Sequence, residues 1–242
     1  MAHFYLADGL SDTAPGSLVT IVGAEAKHAV SVSRVRVGEV LSIGNGEGLV
    51  ATGPVEEAAP TRLSIRVDEV VQHPAPSARI TLVQALAKGG RDESAVQAST
   101  ELGVDAVVPW AARRSVVKWD GNKRDKGPER WRAIVREATK QSMRPYLPQV
   151  QEPVTTKELA RLAESALVLV LEPTAQTPLT SVEARGRDVV LVVGPEGGIA
   201  PEELEMLGAA GCVPVRLGSS VLRTSTAGPA ALAVLSALTE RW

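Results

Sequence analysis

The alternation of apolar and polar residues predicts a small, mostly β domain in the first part of the chain. Residues 61–67 alternate apolar and polar side chains, which is typical of a strand with one solvent-facing side. The apolar runs 40–43 and 49–52 flank Gly44-Asn45-Gly46 and predict a β-hairpin. Residues 24–35 carry the one helical pattern expected here. We therefore assign residues 1–71 to one domain.

A proline-containing segment follows this β domain and predicts a linker. Residues 72–78 include Pro74 and Pro76, which favour an extended backbone and exclude a helix. We therefore place the domain boundary here and expect residues 79–242 to form a second domain.

Short, mostly apolar segments that predict strands alternate with helical patterns in this second part. The segments fall at 80–85, 105–110, 166–171, 189–193 and 213–217, and 189–193 is a continuous apolar run. Continuous rather than alternating apolar runs are typical of strands that are covered on both faces, as in parallel sheets. The sequence therefore predicts an α/β fold, with residues 92–102 as the helix of its first βαβ unit.

Two strand-loop-helix units near the carboxyl end indicate a ligand site. Gly194-Pro195-Glu196-Gly197-Gly198 follows one strand, and Pro201 suits the first position of the next helix. Residues 218–227 follow the next strand and lead into an apolar helix, with Thr226 as its predicted N-cap. Open α/β sheets bind ligands at such loops. A dinucleotide-dependent oxidoreductase is disfavoured, because the G-x-G-x-x-G spacing is missing.

The distribution of charge indicates an anionic partner. The net charge is −2, but residues 1–78 carry −4, residues 79–150 carry +6 and residues 151–242 carry −4. Arg132, Arg136 and Lys140 recur every four residues and predict a basic ridge on a helix, after a predicted loop at 121–126. This favours contact with an RNA backbone, whereas a solvated surface remains the alternative.

The remaining composition narrows the class of protein. Cys212 is the only cysteine, so no internal disulfide can form, and we expect it to be a small buried residue. Three scattered histidines offer no metal-ligand spacing, and no apolar run approaches the ~18 residues of a membrane span. We expect a cytoplasmic protein that binds neither metal nor membrane. Trp110, Trp119 and Trp131 could stack on bases, but core positions are favoured.

The two carboxyl-terminal loops resemble a known family. GPEGGIAPEEL (194–204) followed by LGSSVLRTSTA (217–227) resembles the paired motifs of the SPOUT-class RNA methyltransferases. Within that class, the chain looks most like the uridine-N3 methyltransferases of small-subunit (16S) ribosomal RNA. TELGV at 100–104 matches the family pattern as well. Many members carry a lysine before that motif, where this chain has Ala98, so no role of that lysine can be transferred.

The resemblance implies a fold, a cofactor and partners. It implies a PUA-like RNA-binding barrel at residues 1–71 and a SPOUT domain at residues 79–242, whose last helix is threaded into a trefoil knot. It also implies that the protein is a homodimer that uses S-adenosyl-L-methionine and acts on 16S ribosomal RNA or the small ribosomal subunit.

The resemblance also implies site residues. Three loops would hold the cofactor through Leu171, Glu172, Val193, Gly194, Pro195, Glu196, Gly197, Gly198, Leu217, Gly218, Ser219, Leu222, Arg223, Thr224, Ser225 and Thr226. Uracil N3 must lose a proton before it attacks a methyl group, so a fixed cation beside the developing anion lowers the barrier. Arg223 is the candidate for this cation, and Glu196 is either the proton acceptor or an organiser of its loop. A structural ion pair is the alternative for Arg223.

RNA contacts are expected on both domains. The expected RNA-binding residues are Lys27, His28, Arg34, Arg36, Arg132, Arg136, Lys140 and Arg144. The family's first domain usually carries a pair of histidines, of which Lys27 replaces the first and His28 matches the second. A local packing role remains the alternative for His28.

Two other functions remain open. One is a different SPOUT enzyme, such as a tRNA ribose 2′-O-methyltransferase, although that group usually ends in a Ser-Leu-Asn-like motif, where this chain has Val221-Leu222-Arg223-Thr224. The other is a non-catalytic RNA-binding assembly factor that keeps the fold.

Overall fold

Alternating apolar and polar residues in the first part of the chain form a mostly antiparallel sheet. The computed structural model describes residues 3–121 and 123–242. The strands are β1 (His3–Leu6), β2 (Leu18–Val22), β3 (Val40–Gly44), β4 (Leu49–Ala59), β5 (Arg62–Arg66) and β6 (Glu69–Gln72). They follow the order β1-β3-β4-β5-β2, with β6 paired to β4, and only β1 and β3 run parallel. The predicted hairpin is confirmed as β3–β4.

The sheet surrounds an apolar core, and one predicted feature of it is wrong. Leu63 and Ile65 of β5 are fully buried, as the alternation predicts. Ser64, on the face expected to meet solvent, is only 4% exposed, and its hydroxyl hydrogen-bonds that of Thr20 at 2.8 Å. A neighbouring hydroxyl therefore satisfies a polar side chain that the pattern assigns to water.

The predicted helix at 24–35 is shorter and changes its geometry. It consists of α1 (Gly23–Lys27) and a π-helical turn (His28–Val32), in which Ser33 N donates to His28 O at 3.0 Å. Arg34 then takes a positive φ of 58°, which is uncommon for a residue with a side chain and ends the helical segment.

The first of two compact units contains this sheet together with a second segment of chain. It extends to Ala75 and also includes Thr139–Leu147. In that segment, Pro145 O accepts a hydrogen bond from Gly48 N at 3.0 Å, and the Tyr146 hydroxyl donates to His73 O at 2.9 Å. A Cβ at Gly48 would lie 2.5 Å from the Tyr146 hydroxyl, so this contact requires glycine.

The second unit comprises Pro76–Ala138 and Pro148–Trp242 and contains a parallel sheet. Its strands are β7 (Ile80–Ala85), β8 (Ala106–Trp110), β9 (Gln149–Val150), β10 (Leu167–Leu171), β11 (Val189–Val193) and β12 (Val213–Val215). They follow the order β12-β10-β11-β7-β8-β9, and every pair is parallel. The predicted α/β fold with a parallel sheet is confirmed, and the carboxyl ends of the strands meet at one edge.

Helices connect the strands of this sheet. They are α2 (Arg91–Glu101), α3 (Lys123–Gln141), α4 (Thr156–Arg161), α5 (Pro201–Ala209) and α6 (Thr224–Leu238), with short 3₁₀ turns at Leu162–Glu164 and Leu179–Ser181. β7, α2 and β8 form the predicted βαβ unit. Trp110 and Trp131 are buried core residues, and Trp119 packs edge-on against Trp131 with ring centroids 5.4 Å apart. Cys212 is buried, and burial raises the pKa of its thiol.

Two helix boundaries differ from the prediction. The expected loop at 121–126 is helical from Lys123 onward, and Asn122 lies outside the described residues. α6 begins at Thr224 rather than after Thr226, so Pro229 lies inside the helix. Arg223 is therefore its N-cap, and Arg223 O accepts the amides of Thr226 and Ala227 at 2.8 and 2.9 Å.

Candidate active site

A cavity of about 480 Å³ opens at the carboxyl edge of the parallel sheet. The ends of β10, β11 and β12 and the first turn of α6 form its walls, because parallel strands release their connecting loops at the same edge. It is lined by Arg91, Leu171, Glu172, Pro173, Val193, Gly194, Pro195, Glu196, Gly198, Ile199, Val215, Arg216, Leu217, Gly218, Ser220, Val221, Leu222, Arg223, Thr224 and Ala227.

The prediction located this cavity but not all of its lining. Of the expected cofactor-binding residues, four do not line the cavity: Gly197 and Ser219 lie in its loops, and Ser225 and Thr226 lie in the first turn of α6. The sequence analysis missed Arg91, Pro173, Ile199, Val215, Arg216, Ser220, Val221 and Ala227. Most of these adjoin predicted residues along the chain. Arg91 is different, because it comes from the start of α2, about a hundred residues before the glycine turn.

The glycines of the turn after β11 have different structural reasons. A Cβ at Gly194 would lie 2.7 Å from Ile199 Cγ1, which is closer than real Cβ atoms approach their neighbours. Gly198 has a φ of +71°, a conformation that other residues rarely adopt. Gly197 meets neither restriction, since its Cβ would have ordinary contacts from 3.5 Å. The turn therefore requires glycine at two positions.

A buried hydrogen-bonded chain joins the two loops that form the cavity. The Thr224 hydroxyl donates to Gly194 O at 2.8 Å and accepts from Gln84 Nε2 at 2.8 Å. Gln84 is fully buried in β7, beside Val193 in the register of β11. These hydrogen bonds connect β7, the glycine turn and the first residue of α6, so the two motifs form one structural unit.

Glu196 is held by two groups that lie before and within α2. Its Oε1 accepts a hydrogen bond from Arg91 Nη1 at 2.8 Å and from Lys88 N at 3.2 Å. Burial alone would raise the pKa of Glu196, but hydrogen bonds from its own amide, Arg91 and Lys88, together with the Arg91 charge, lower it below the ordinary 4.5. Glu196 is therefore ionised at neutral pH and tethers the glycine turn.

Another carboxylate supports the segment that follows the glycine turn. Glu203 of α5 is 6% exposed, and its Oε1 accepts from the Thr156 hydroxyl at 2.6 Å and from Arg113 N at 3.0 Å. Its Oε2 accepts from Ala200 N at 3.2 Å, which completes a capping interaction at the start of α5. Glu203 thereby connects the loops that follow β8, β9 and β11.

Three arginines line the cavity, and their hydrogen bonds distinguish their roles. Arg216 Nη1 donates to two backbone oxygens, those of Ala175 and Gln176, so it supports the neighbouring loop. Arg91 pairs with Glu196. Within residues 3–121 and 123–242, the Arg223 guanidinium has no hydrogen-bond or ion-pair partner, and the residue is exposed. The structural ion pair considered for Arg223 is therefore not formed by the described residues.

The residues expected to contact RNA have unequal exposure. Lys27, Arg34 and Arg36 are exposed, and His28 is half-buried in the π-helical turn. Arg132 is exposed and pairs with Glu152 at 3.1 Å, whereas Arg136 and Arg144 are half-buried.

The predicted exposed ridge is wrong at Lys140. This residue is only 7% exposed, and its Nζ lies 3.3 Å from Glu25 Oε2. The last turn of α3 packs with the N-terminal unit, so the four-residue spacing does not keep Lys140 on a solvated face. Lys140 is an internal ion-pair partner in the described structure.

Residues 3–121 and 123–242 contain neither a helix long and apolar enough to cross a bilayer nor a group of three or more potential metal ligands.

Family models match both parts of the chain. A model described as an RNA methyltransferase domain matches residues 73–236, and one described as an RNA methyltransferase PUA domain matches residues 21–68. The second match confirms the predicted PUA-like domain at the amino end.

Curated relatives match along most of the chain. Ribosomal RNA small subunit methyltransferase E from Mycobacterium bovis is 43% identical over 248 residues, covering 100% of this chain and 94% of that protein. The protein of the same name from Bacillus subtilis is 31% identical over 231 residues, covering 91% and 90% of the two chains.

Solved structures share the fold and include a bound cofactor. A structure from Legionella pneumophila in complex with the cofactor SAM has a TM-score of 0.89 and 32% identity, covering 99% of this chain and 98% of that one. Ribosomal RNA small subunit methyltransferase E from Neisseria gonorrhoeae, bound to S-adenosyl methionine, has a TM-score of 0.84 and 27% identity, with coverage of 99% and 98%.

Proposed function

Because this chain belongs to the RNA methyltransferase family, we propose that it transfers a methyl group from S-adenosyl-L-methionine to N3 of a uridine in 16S ribosomal RNA. The observation that carries this proposal is the cavity between the two loops, with Arg223 in its wall and no partner for its guanidinium among the described residues. A catalytic cation is required where the uracil develops negative charge, and an arginine whose guanidinium is already paired would be less suited to this role.

The cavity fits the cofactor in size and chemistry. About 480 Å³ lies within the usual range of small-molecule pockets, and apolar residues such as Leu171, Val193 and Leu217 line it beside backbone groups of the two loops. The Glu172 carboxylate at its wall is an acceptor for hydroxyl groups. Bound there, S-adenosylmethionine supplies an activated methyl group, so the protein mainly positions the donor and prepares the nucleophile.

Arg223 and Glu196 have separate tasks in this mechanism. Arg223 is always protonated, so it stabilises the uracil anion rather than removing the proton. A general base works best with a pKa near the operating pH, whereas the pKa of Glu196 lies below its ordinary value. We therefore assign Glu196 to the organisation of its loop, which was one of its two expected roles. The N3 proton then passes to water, Arg223 stabilises the resulting uracil anion, and S-adenosylhomocysteine leaves once the methyl group is transferred.

The target base must reach this cavity, so we expect an unpaired or flipped nucleotide. We propose that Lys27, Arg34 and Arg36 contact the RNA from the N-terminal unit, since all three are exposed. Arg132 is the exposed member of the predicted basic ridge and a further candidate for RNA contact.

The knot and the homodimer that the resemblance implies stay predictions. Light scattering after gel filtration tests the homodimer.

The substitution Arg223→Ala tests the mechanism. It should reduce kcat by about 100-fold or more, as expected for the loss of a transition-state donor, with little change in the Kd of S-adenosylmethionine. Methyl transfer to small subunits from cells that lack the protein provides the assay, and mass spectrometry of the ribosomal RNA identifies the methylated atom. Unchanged turnover would exclude Arg223 from the mechanism.

A non-catalytic assembly factor predicts a different outcome. Such a protein would bind RNA without taking up S-adenosylmethionine in a calorimetric titration, and the ribosomal RNA of the deletion strain would lack no methyl group. Methylation at a ribose oxygen instead of N3 would contradict the proposed target atom while leaving the enzyme class intact.

A further inference from the structure

Basic residues from two other loops contact the glycine turn. Arg91 Nη1 donates to the Glu196 carboxylate at 2.8 Å, and Arg114 Nη1 donates to Gly197 O at 3.1 Å. Lys88, three residues before Arg91, is exposed, and its amide also binds Glu196. Two loops that are distant in sequence therefore present cations at the same turn.

Arg91 lines the cavity and has guanidinium N–H groups that no described residue uses. It lines the cavity that also contains Arg223, and 36% of its side chain is exposed. A guanidinium carries five N–H donors, and Arg91 uses one of them on Glu196. Within the part of the chain that the structure describes, its other donors have no partner. Glu196 thus holds the side chain while leaving most of its donors available for a ligand.

The arrangement favours a phosphate of the substrate over the carboxylate of the cofactor. A free amino-acid group needs one cation and one acceptor for its ammonium, which Arg91 and Glu196 together provide, but it leaves the other cations at this turn unused. Lys88 and Arg114 are exposed and adjoin the same turn, through the Lys88 amide on Glu196 and the Arg114 guanidinium on Gly197 O. Several cations at one turn suit a polyanion, whose adjacent phosphates bind arginine and lysine.

We propose that Arg91, Lys88 and Arg114 form a phosphate-binding rim that holds the RNA backbone beside the target nucleotide, with Glu196 as the residue that positions Arg91. This inference rests on the proposed function for its substrate. It adds residues outside those expected to contact RNA from the sequence.

Arg91→Gln tests the rim, with Arg185→Gln as the matched control. Arg185 is likewise paired with a glutamate, Glu240, but it lies before β11, at the opposite edge of the sheet. Filter binding of transcribed 16S ribosomal RNA at several salt concentrations measures affinity and salt slope, and calorimetry measures the Kd of S-adenosylmethionine.

We expect Arg91→Gln to weaken RNA binding about tenfold and to flatten the salt slope by roughly 0.7–0.9, the value for one lost phosphate contact. Lys88→Gln combined with Arg114→Gln should flatten it further, while Arg91→Lys should retain most of the slope. Arg185→Gln should match the wild type in both measurements. In Arg91→Gln the Kd of S-adenosylmethionine should rise by a clearly smaller factor than the Kd of RNA, because Arg91 lines the cavity and holds Glu196 but spends its other donors on the RNA.

Two results would overturn the rim. An unchanged RNA affinity and salt slope in Arg91→Gln would mean that Arg91 only tethers the turn. A Kd for S-adenosylmethionine that rises as much as that for RNA would assign Arg91 to the cofactor. Because these are binding measurements, they remain decisive even where the wild-type protein transfers no methyl group, a result that would refute the proposed function instead.

Discussion

Replacing Gly194 with alanine should disturb the cavity proposed to bind the cofactor, and it should do so through one contact. The added Cβ would lie 2.7 Å from Ile199 Cγ1, whereas ordinary contacts begin at 3.4 Å, so the two groups must separate by about 0.7 Å (3.4 − 2.7). Ile199 is 5% exposed and itself lines the cavity, so its displacement is resisted by the core or narrows the cavity. The Thr224 hydroxyl also binds Gly194 O, which limits movement of the turn.

The magnitude follows from the cost of overpacking. An extra methyl group in a well-packed site costs about 1–3 kcal/mol. If the added methyl group destabilises only the complex with S-adenosylmethionine, the Kd of S-adenosylmethionine rises by roughly 5- to 150-fold, because 1.4 kcal/mol corresponds to a tenfold change. If the added methyl group already destabilises the free folded protein, the free energy of unfolding falls by the same amount, about 1–3 kcal/mol. Calorimetric titration and urea denaturation of the same protein measure both.

Gly197→Ala provides the contrast, because a Cβ there has ordinary contacts and its φ lies outside the left-handed region. We expect the Kd and the free energy of unfolding of Gly197→Ala to stay near the wild-type values. The reasoning is refuted where Gly194→Ala also behaves as wild type, or where the two variants lose affinity equally. Equal losses would mean that flexibility of the turn, rather than one close contact, explains the glycines.

Two further predictions concern internal contacts. Lys140→Met should lower the free energy of unfolding by about 3–5 kcal/mol, because it leaves the mostly buried Glu25 without its cation. Urea denaturation measures this change. A second substitution, Glu25→Gln in the Lys140→Met protein, should restore part of the lost stability. A loss below 1 kcal/mol would contradict the internal role. Thr224→Val should lower the free energy of unfolding by about 1–3 kcal/mol and weaken S-adenosylmethionine binding, because the buried Gln84 amide and Gly194 O lose their shared partner. An unchanged melting temperature and an unchanged Kd of S-adenosylmethionine would refute the coupling of the two loops.

Local sequence patterns were sufficient for the sheet and for the position of the cavity. Val189–Val193 is a continuous apolar run and Ile80–Ala85 is mostly apolar, and both form covered strands of the parallel sheet. The edge at which the cavity lies can be predicted as well, because the loops after parallel strands all leave the sheet at the same edge. The glycine turn and the 217–227 loop were therefore predicted to meet from information within each motif.

Contacts between distant residues were beyond this kind of prediction. Arg91 and Glu196 are 105 residues apart in the chain, and Gln84 and Thr224 are 140 apart. A lone arginine at a helix start or a glutamine in an apolar strand carries no local signal for its partner. The glutamine did offer a weak one, since an uncharged polar residue inside a buried strand requires a hydrogen-bond partner.

Lys140 shows why helical spacing alone does not decide exposure. Residues four apart lie near one another on a helix, so Arg132, Arg136 and Lys140 share a face as long as the helix has the same surroundings throughout. The last turn of α3 instead packs with the N-terminal unit, where Glu25 provides a carboxylate. A lysine that periodicity assigns to solvent is then buried as half of an ion pair. The RNA contacts that we propose for Arg223 and Arg91 therefore rest on guanidinium donors that no described residue uses, and not on the spacing of these residues in the sequence.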